Sequence, residues 1–600
     1  MSAAPPYAEL HCHSAYSFLD GVSLPDELAH SAAELGHAAL ALTDHNSVSG
    51  SMELAQVAKD VGVRAIHGAE VDLAPGPGGG ADTRHLTLLV RDARGWRNLC
   101  RILTHAHAGT RERSGRERTE PSVALQTVLD HAEGLVCLTG CAKHGVHERP
   151  TVRRLLDAFG PRGLRVELQR PYARHDRARN RALAALAREL GVKCVATGNV
   201  HAHARSRAEL QDAFVALRNH MTLDASEPLR RGNRTHAMSS PQAMAARFVD
   251  HPEAVRETLH LAEQLRFDLS KDLGYRYPGS EDESAPRRLA ELCWTRLESR
   301  YKGGAVLAEA QARLGEELRV IDRLGLAGFF LLHHDMLELA REVAAQVRGR
   351  DTVRALLAPG RGRGSSVSSI VCYLTGLSHI DPVENGLLLG RFLHEDLHGL
   401  PDIDLDFPRD IREILIPRVH ERYGHERAAL VAAFPTFRAR GAIRELGKVL
   451  GLPAGEIERM ARTADHRGDV ERDVAAESRS TRWRWLARLV EEAYRLPRHL
   501  SQHSGGMVVS TRPLIDCCPV VPSAMEGRQM VQWDKDSCAD AGFLKIDLLG
   551  LGMLSAVERC VDLVASTRGE RVDLSRIRFD EPETFKAIRA ADTVGVFQIE

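Results

Sequence analysis

The sequence predicts a multidomain α/β protein. Its 600 residues are far more than one hydrophobic core can hold, and this length suggests roughly three to five domains. Apolar residues make up 43% and charged residues 27% of the chain, which is close to the average of globular proteins. Over residues 1–205, short apolar runs alternate with helical patterns, as in α/β domains.

The composition narrows the class of protein further. The chain has 80 Lys and Arg against 81 Asp and Glu, so any binding to nucleic acid must come from local patches of charge. None of the 11 cysteines forms a C-x-x-C pair, which argues against a zinc ribbon and for reduced thiols. The sequence has neither a signal-peptide pattern nor an apolar run of membrane-spanning length, and we expect a cytoplasmic protein.

The N-terminal region contains the first candidate site. Its apolar runs at 38–42, 86–90, 135–138 and 192–196 predict strands, and several lead into polar or histidine-bearing turns. In α/β domains, functional side chains collect at the carboxyl ends of strands. The candidate metal ligands follow one another along these turns: His11, His13, Asp20, His45, Glu70, His85, Cys141 and His201. A mixture of His, carboxylate and Cys suits Zn²⁺, Mn²⁺ or Fe better than Mg²⁺.

A second candidate site lies at 401–407, where Asp402, Asp404 and Asp406 alternate with Ile403, Leu405 and Phe407. In an extended strand, the three carboxylates share one face and the three apolar side chains share the other. Carboxylates lined up in this way repel one another unless a hard cation such as Mg²⁺ neutralises them. Taken alone, so short an acidic motif more often marks an exposed strand than a catalytic centre.

Two further motifs could belong to the same site. Residues 360–366 form a Gly/Ser-rich turn before an apolar run, and a turn that opens a helix offers backbone N–H groups to phosphate. The alternative is a flexible basic loop, and the spacing is not that of a Walker A motif. Lys545 and Asp547 share one face of a predicted strand, where the alternative is a buried ion pair.

Together these motifs resemble two known domains. The histidine-rich set resembles the PHP (polymerase and histidinol phosphatase) domain. The remainder resembles the catalytic subunit of bacterial family C DNA polymerases, the DNA polymerase III alpha-subunit family, at 362–365, 391–393, 401–407, 545–551 and 595–600. Segments 435–445, 503–507 and 530–536 are most similar to the error-prone branch of that family, which is associated with translesion synthesis and damage-induced mutagenesis.

The resemblance implies a fold for each part of the chain. We expect an N-terminal PHP (βα) barrel of seven strands, followed by a nucleotidyltransferase palm of the Pol β type with a helical thumb and the start of the fingers. The implied boundaries are 1–205 for the PHP domain, 206–285 for a helical connector and linker, 286–430 and 501–560 for the two parts of the palm, 431–500 for the thumb and 561–600 for the truncated fingers.

The resemblance also implies roles for individual residues. Asp402, Asp404 and Asp547 match the catalytic metal ligands, which hold Mg²⁺, and Asp406 is then a neighbour. The positions that contact the incoming triphosphate are Gly364, Ser365, Arg391 and Lys545. The PHP domain holds up to three metals, here Zn²⁺ or Mn²⁺, although Asn199 stands where the family has aspartate and indicates a partly decayed site.

The implied function is DNA-directed DNA polymerisation by a two-metal mechanism. The expected partners are primer–template DNA, dNTPs, a sliding clamp and accessory mutagenesis proteins, with no membrane. We expect contact with DNA from thumb cations, namely Arg479, Arg482, Arg484 and Arg488. Because the chain stops inside the motif that introduces the fingers, we expect this piece alone to polymerise poorly.

Four alternatives remain open at this stage. The chain could be a replicative polymerase III alpha subunit, a PHP-type phosphoesterase with a C-terminal extension, or a non-catalytic scaffold. A family X polymerase also pairs a palm with a PHP domain, but it carries the PHP domain at the opposite end.

Overall fold

The computed structural model describes residues 7–75, 84–111, 119–301, 303, 305–349, 352–394, 400–464, 481–572, 580–596 and 599. The chain divides into two compact units. The first consists of Met1–Gly274, Ala432–Gln502 and Pro513–Ala541, and the second of Tyr275–Val431, His503–Arg512 and Gly542–Glu600. Phe597, Gln598 and Glu600 of the predicted finger motif, and the thumb residue Arg479, lie outside the described residues.

The strands are, in chain order, β1 (Ala39–Leu42), β2 (Arg64–Leu73), β3 (Arg84–Val90), β4 (Leu135–Leu138), β5 (Leu164–Gln169), β6 (Lys193–Thr197), β7 (Arg361–Arg363), β8 (Asp404–Pro408), β9 (Ala428–Ala433), β10 (Ser501–Val509), β11 (Val520–Pro522), β12 (Gln529–Val531) and β13 (Lys545–Leu551).

The α-helices are α1 (Pro25–Leu35), α2 (Ser51–Asp60), α3 (Ala93–His107), α4 (Leu125–Asp130), α5 (Arg149–Gly163), α6 (Asp176–Leu190), α7 (Ala208–Arg218), α8 (Pro241–Arg247), α9 (Pro252–Ala262), α10 (Ala285–Arg300), α11 (Ala305–Arg323), α12 (Ala327–Arg348), α13 (Ile370–Thr375), α14 (Arg409–Tyr423), α15 (Ala439–Val449), α16 (Ala454–Thr463), α17 (Thr481–Ala493), α18 (Lys535–Asp540), α19 (Gly552–Arg568) and α20 (Pro582–Arg589). Within the described residues, no helix combines the length and the apolar character that a membrane span requires.

The first unit contains a curled sheet of six strands in the order β1-β2-β3-β4-β5-β6. Residues 9–12 close this sheet, because Glu9 bridges to Leu40 of β1 and Cys12 bridges to Val200, just after β6. The predicted N-terminal barrel is therefore confirmed, as six strands and a short seventh segment. The four apolar runs that the sequence analysis singled out form β1, β3, β4 and β6.

Helices α7, α15, α16 and α17 form a second layer of the first unit. Their shared core includes Phe214, Phe437, Ile443 and Leu486, each with at most 1% of its surface exposed. Phe214 and Phe437 stack with their ring centroids 5.3 Å apart. Burial of each such aromatic side chain contributes on the order of 1.5–3 kcal/mol. The segment expected to form the thumb thus packs within the first unit.

The second unit is built on a sheet with the strand order β9-β10-β13-β8-β7. β13 runs parallel to β8 and antiparallel to β10, while β7 is antiparallel to β8. β8 continues directly into α14, whose Ile411, Leu415 and Val419 are fully buried. This sheet places β8 and β13, the two strands that carry the predicted catalytic acids, side by side.

Candidate functional site

Parallel pairing of β8 and β13 brings the first group of predicted site residues together. Asp404 and Asp547 are direct partners in the register of these strands. The predicted alternation holds, because Ile403, Leu405 and Phe407 are at most 1% exposed. Burial of these apolar side chains fixes the register, and a one-residue slip would turn the acids into the core. Strand β8 begins at Asp404, so Asp402 precedes the strand.

Asp402, Asp404 and Asp547 form what we call the acid cluster. One carboxylate oxygen from each lies within 4.8 Å of the others. Asp402 is exposed, whereas Asp547 is buried, and its Oδ1 atom has no hydrogen-bond partner among the described residues. Burial and the negative charges of Asp402 and Asp547 raise the pKa of Asp404, despite the opposing effect of Arg363.

Two cations of the chain compensate this negative charge. Lys545 pairs with Asp547 and lies 4.0 Å from Asp402. Arg363, on β7, contacts Asp404 at 3.3 Å and Asp406 at 3.3 Å. Asp406 therefore faces the same side of β8 as Asp404 but contacts a cation instead of the other acids.

The Gly/Ser-rich turn differs in one respect from the sequence-based expectation. Gly364 to Ser368 form a 3-10 turn between β7 and the short helix α13, and Gly364 has the left-handed φ of 76°. The first N–H groups of α13 are not open to phosphate, because those of Ile370 and Val371 donate to the buried Glu317 carboxylate. Any phosphate bound here must therefore be held by the 3-10 turn itself. Arg391 ends a second 3-10 turn, which packs against the first.

Gly506 is a site residue that sequence reasoning missed. It lies opposite Asp547 on β10. A Cβ atom at this position would lie 2.9 Å from His503 Nδ1, 3.3 Å from Asp547 Oδ1 and 3.3 Å from the Lys545 side chain. The only signal in the sequence is the pair of adjacent glycines at 505 and 506, which indicates a close approach to the strand.

The acid cluster fits a hard divalent cation. Its three residues offer oxygen atoms alone, and the unpartnered Oδ1 of Asp547 is an acceptor that a bound ion would satisfy. Asp404 and Asp547 stand on paired strands, so their mutual position is fixed by the backbone.

The first unit brings together the eight predicted ligands of the histidine cluster, namely His11, His13, Asp20, His45, Glu70, His85, Cys141 and His201. Glu70 lies at its centre. Glu70 Oε2 is 3.0 Å from His11 Nε2 and 3.0 Å from His85 Nε2, and Oε1 is 2.8 Å from His45 Nδ1. His45, Cys141 and His201 follow β1, β4 and β6, as expected for an α/β domain, whereas Glu70 lies within β2 and His85 near the start of β3.

Candidate ligands for a metal ion meet at three places in the histidine cluster. The first joins His11, His13 and Glu70, with the two Nε2 atoms 3.1 Å apart. The second joins Glu70 to His85, whose Nε2 accepts a hydrogen bond of 3.1 Å from the backbone N–H of Cys141. The third joins Asp20, His45 and His201, with Asp20 Oδ2 3.2 Å from His45 Nε2 and 3.4 Å from His201 Nε2.

Residues behind the first two places orient the ligands. His11 Nδ1 lies 2.7 Å from the buried Glu167 carboxylate, the usual partner of a metal-bound imidazole. Asn199 has a left-handed φ of 48°, and its side-chain Oδ1 is buried without a hydrogen-bond partner in the described part of the chain. An amide oxygen can ligate a metal but is a weaker ligand than the aspartate expected there. The first place therefore fits a metal ion, whereas at the second place the Nε2 electron pair of His85 already accepts a hydrogen bond.

Strong electrostatic shifts accompany this arrangement. Burial lowers the pKa of His11, but the carboxylates of Glu167 and Glu70 raise it to about 10. Burial and the neighbouring His201 lower the pKa of His13 well below its ordinary value. Burial opposes ionisation of Glu70, yet its histidine neighbours lower its pKa well below the usual range. Perturbed groups gathered in one place are typical of functional sites.

The third place contains a residue that the sequence analysis did not identify. Arg231 donates from Nη2 to Asp20 Oδ1 at 2.9 Å and to His201 Nε2 at 2.5 Å. Burial and the positive charge of Arg231 lower the pKa of His201 to about 4. The third place therefore does not fit a metal ion while this guanidinium is present.

Comparison with known proteins gives three matches in chain order. The PHP domain model matches residues 9–171, the bacterial DNA polymerase III alpha NTPase domain matches 287–550, and the bacterial DNA polymerase III alpha subunit finger domain matches 553–600.

Two relatives that match along nearly the whole chain are named error-prone DNA polymerase. The error-prone DNA polymerase of Mycolicibacterium paratuberculosis is 37% identical over 616 residues, covering 99% of this chain and 54% of that protein. The error-prone DNA polymerase of Pseudomonas fluorescens is 36% identical over 605 residues, covering 99% of this chain and 55% of that protein. The chain thus spans about half the length of the curated relatives it matches.

Proposed function

Because the chain belongs to the bacterial DNA polymerase III alpha-subunit family, we propose that its second unit carries the catalytic centre of an error-prone, DNA-directed DNA polymerase. The observation that carries this proposal is the acid cluster. Asp404 and Asp547 lie on two paired parallel strands, Asp402 lies just before the first of these strands, and the three acids offer the oxygen ligands that nucleotidyl transfer by two metal ions requires. Relatives named error-prone DNA polymerase support the branch.

Asp402, Asp404 and Asp547 are the residues that would hold Mg²⁺. When bound, divalent ions supply Lewis-acid chemistry to the attacking primer 3′-hydroxyl and to the leaving pyrophosphate. Lys545 and Arg363 already stand beside these acids. Once the charge of the acids is neutralised, Lys545 and Arg363 can contact a triphosphate instead. The negative charge of the triphosphate then takes the place of the carboxylate charge beside these two cations.

Gly364, Ser365 and Arg391 are proposed to complete the triphosphate site. They lie on two 3-10 turns that pack together, and Gly364 and Ser365 directly follow Arg363. The left-handed conformation of Gly364 turns the chain after β7 and is accessible to glycine at no steric cost. Asp406 also contacts Arg363 but lies outside the acid cluster, so it has no metal-binding role in this proposal.

Primer–template DNA and dNTPs are the proposed substrates. Arg482, Arg484 and Arg488 are exposed along α17, within the predicted thumb, and they provide cations for a sequence-independent contact with the DNA backbone. A sliding clamp and accessory mutagenesis proteins are the partners that the error-prone branch implies.

Primer extension tests this proposal. The protein that contains this chain is compared with its Asp404→Asn variant on undamaged and abasic templates. We expect Asp404→Asn to lower nucleotide incorporation by roughly a thousandfold, since a bound metal supplies several kcal/mol of transition-state stabilisation. Asp406→Asn is the matched control and should retain most of the activity. Equal extension by all three proteins would contradict the polymerase assignment, and stalling at the abasic site would contradict the error-prone branch.

A metal-dependent phosphoesterase of the PHP type is the second candidate, because the place of His11, His13 and Glu70 fits a metal ion. Asn199 argues against it, since an amide is a poorer ligand than aspartate and cannot act as a base. Phosphoester hydrolysis that is lost in His11→Ala and His13→Ala, but kept in Asp402→Asn, would establish this activity. Hydrolysis that is unaffected by the two histidine variants would exclude it.

A further inference from the structure

The third place of the histidine cluster contains Arg231, a residue of an irregular segment that follows a short 3-10 turn at Glu227–Leu229. Its Nη2 atom donates to both carboxylate oxygens of Asp20, at 2.9 and 3.2 Å, and to His201 Nε2 at 2.5 Å. One nitrogen atom therefore meets two of the three candidate metal ligands at this place.

The tautomer of His201 shows which electron pair Arg231 occupies. His201 Nδ1 lies 2.9 Å from the backbone carbonyl oxygen of Asn199, which can only accept a hydrogen bond. The proton of a neutral His201 is therefore on Nδ1, and Nε2 carries the free electron pair. That pair is the one a metal ion would use, and it accepts the hydrogen bond from Arg231.

A metal ion and the Arg231 guanidinium exclude each other at this place. Metal–ligand distances for histidine and carboxylate are about 2.0–2.2 Å, so an ion between Asp20 and His201 would stand almost on top of Nη2. Asp20 and His201 are buried, and at so short a distance two positive charges repel strongly. The guanidinium also provides the positive charge that the buried Asp20 carboxylate needs.

We propose that Arg231 is the resident cation of the third metal place, so that the first unit holds metal ions at most at the places of His11, His13 and Glu70 and of Glu70, His85 and Cys141. This inference goes beyond the polymerase proposal and does not depend on it. At this place the Arg231 side chain supplies the positive charge, although the spacing of the ligands in the sequence would suit a metal ion.

Zinc stoichiometry tests the proposal without an activity assay. The chain is loaded with excess Zn²⁺, freed of unbound metal by gel filtration and analysed by plasma mass spectrometry, with Asp404→Asn in every sample to weaken the acid cluster. Arg231→Ala should bind one more Zn²⁺ than the parent, and adding His201→Ala should remove that ion again. Arg230→Ala is the matched control, because this neighbouring arginine contacts Asp212 at 3.5 Å, and it should match the parent.

Two results would overturn the proposal. The first is the same Zn²⁺ content in the parent and in Arg231→Ala. The second is a loss of Zn²⁺ when His201→Ala alone is introduced into the parent, because the third place would then already hold a metal. If Arg231→Ala fails to fold, as judged by circular dichroism, Arg231→Met keeps the apolar part of the side chain and removes the guanidinium, and the His201→Ala comparison still decides.

Discussion

The acid cluster and the histidine cluster both bring ionisable side chains close together, but they differ in their exposure to solvent. Each gathers like-charged or metal-binding groups, and each contains a cation supplied by the chain. The side chain of Asp402 in the acid cluster is 56% exposed, and that of Arg363, which contacts this cluster, is 55% exposed. In the histidine cluster, the side chains of Asp20 and His201 are only 10% and 1% exposed.

This difference in exposure decides which cations can be exchanged. Arg363 is solvated, so its ion pair with Asp404 can break at little cost in free energy when a phosphate or a metal ion binds. Removing Arg231 would take the guanidinium partner from the buried Asp20 carboxylate and leave it with its histidine contacts, and such a loss costs several kcal/mol. The solvated Arg363 is therefore suited to a reaction centre, whereas Arg231, which neutralises the buried Asp20 carboxylate, is a fixed part of the fold.

The largest expected effect distinguishes the acid cluster, on which nucleotide incorporation depends, from the histidine cluster, on which Zn²⁺ binding depends. Asp547→Asn should lower nucleotide incorporation by roughly a thousandfold, because it removes a metal ligand of the acid cluster. The Zn²⁺ content of the first unit should not change. His13→Ala should do the reverse, lowering the Zn²⁺ content while incorporation stays close to that of the unaltered protein. Loss of incorporation in His13→Ala together with full activity in Asp547→Asn would show that incorporation depends on the histidine cluster and not on the acid cluster.

A smaller effect is expected when a side chain fills the space that Gly506 leaves beside Asp547. Gly506→Ala should lower incorporation by roughly tenfold to a hundredfold, since its new Cβ displaces His503, Asp547 or Lys545 by a fraction of an ångström. Gly315→Ala is the control, because a Cβ at this helical glycine has no neighbour within 4 Å. Single-turnover incorporation at saturating dNTP measures the effect, and equal rates for both variants would show that the close approach has no catalytic role.

The smallest effect concerns the Glu317 carboxylate beneath the Gly/Ser turn. Burial raises its pKa to about 7, although hydrogen bonds from Ser369 and from the backbone of Ile370 and Val371 oppose the shift. In the unfolded chain the carboxyl ionises near its ordinary value of 4.5, so its stabilising contribution is complete below that pH and is lost as the pH rises through about 7. The loss is at most about 3 kcal/mol.

Thermal melts at about pH 5 and about pH 8 check this sign. The melting temperature of the unaltered protein should fall more between these pH values than that of Glu317→Gln, whose amide does not titrate. Glu316→Gln, at the exposed neighbouring position, should behave like the unaltered protein. Parallel curves for Glu317→Gln and the unaltered protein would contradict the shift.

The sequence allowed prediction of those features that depend on local pattern. The alternation at 401–407 predicted which side chains are buried, and the apolar runs predicted β1, β3, β4 and β6. The order of His and acidic residues along the first 201 positions predicted the members of the histidine cluster, because strand ends of one sheet meet at one edge.

Features that depend on contacts between distant segments could not be predicted. Arg231 comes from an irregular segment with no motif, and only the fold brings it to Asp20 and His201. Glu317 belongs to a helix far upstream of the Gly/Ser turn, so no local pattern predicted that its carboxylate accepts hydrogen bonds at the start of α13. Gly506 is informative only because β10 pairs with β13 at Asp547.

A count of bound Mn²⁺ by electron paramagnetic resonance tests the central claim most directly, with the unaltered chain, Asp404→Asn and Asp406→Asn side by side. We expect Asp404→Asn to bind fewer Mn²⁺ ions than the unaltered chain and Asp406→Asn to bind the same number, because Asp406 contacts Arg363 and not a metal. The same Mn²⁺ count in all three proteins would contradict the assignment of the acid cluster as a metal centre.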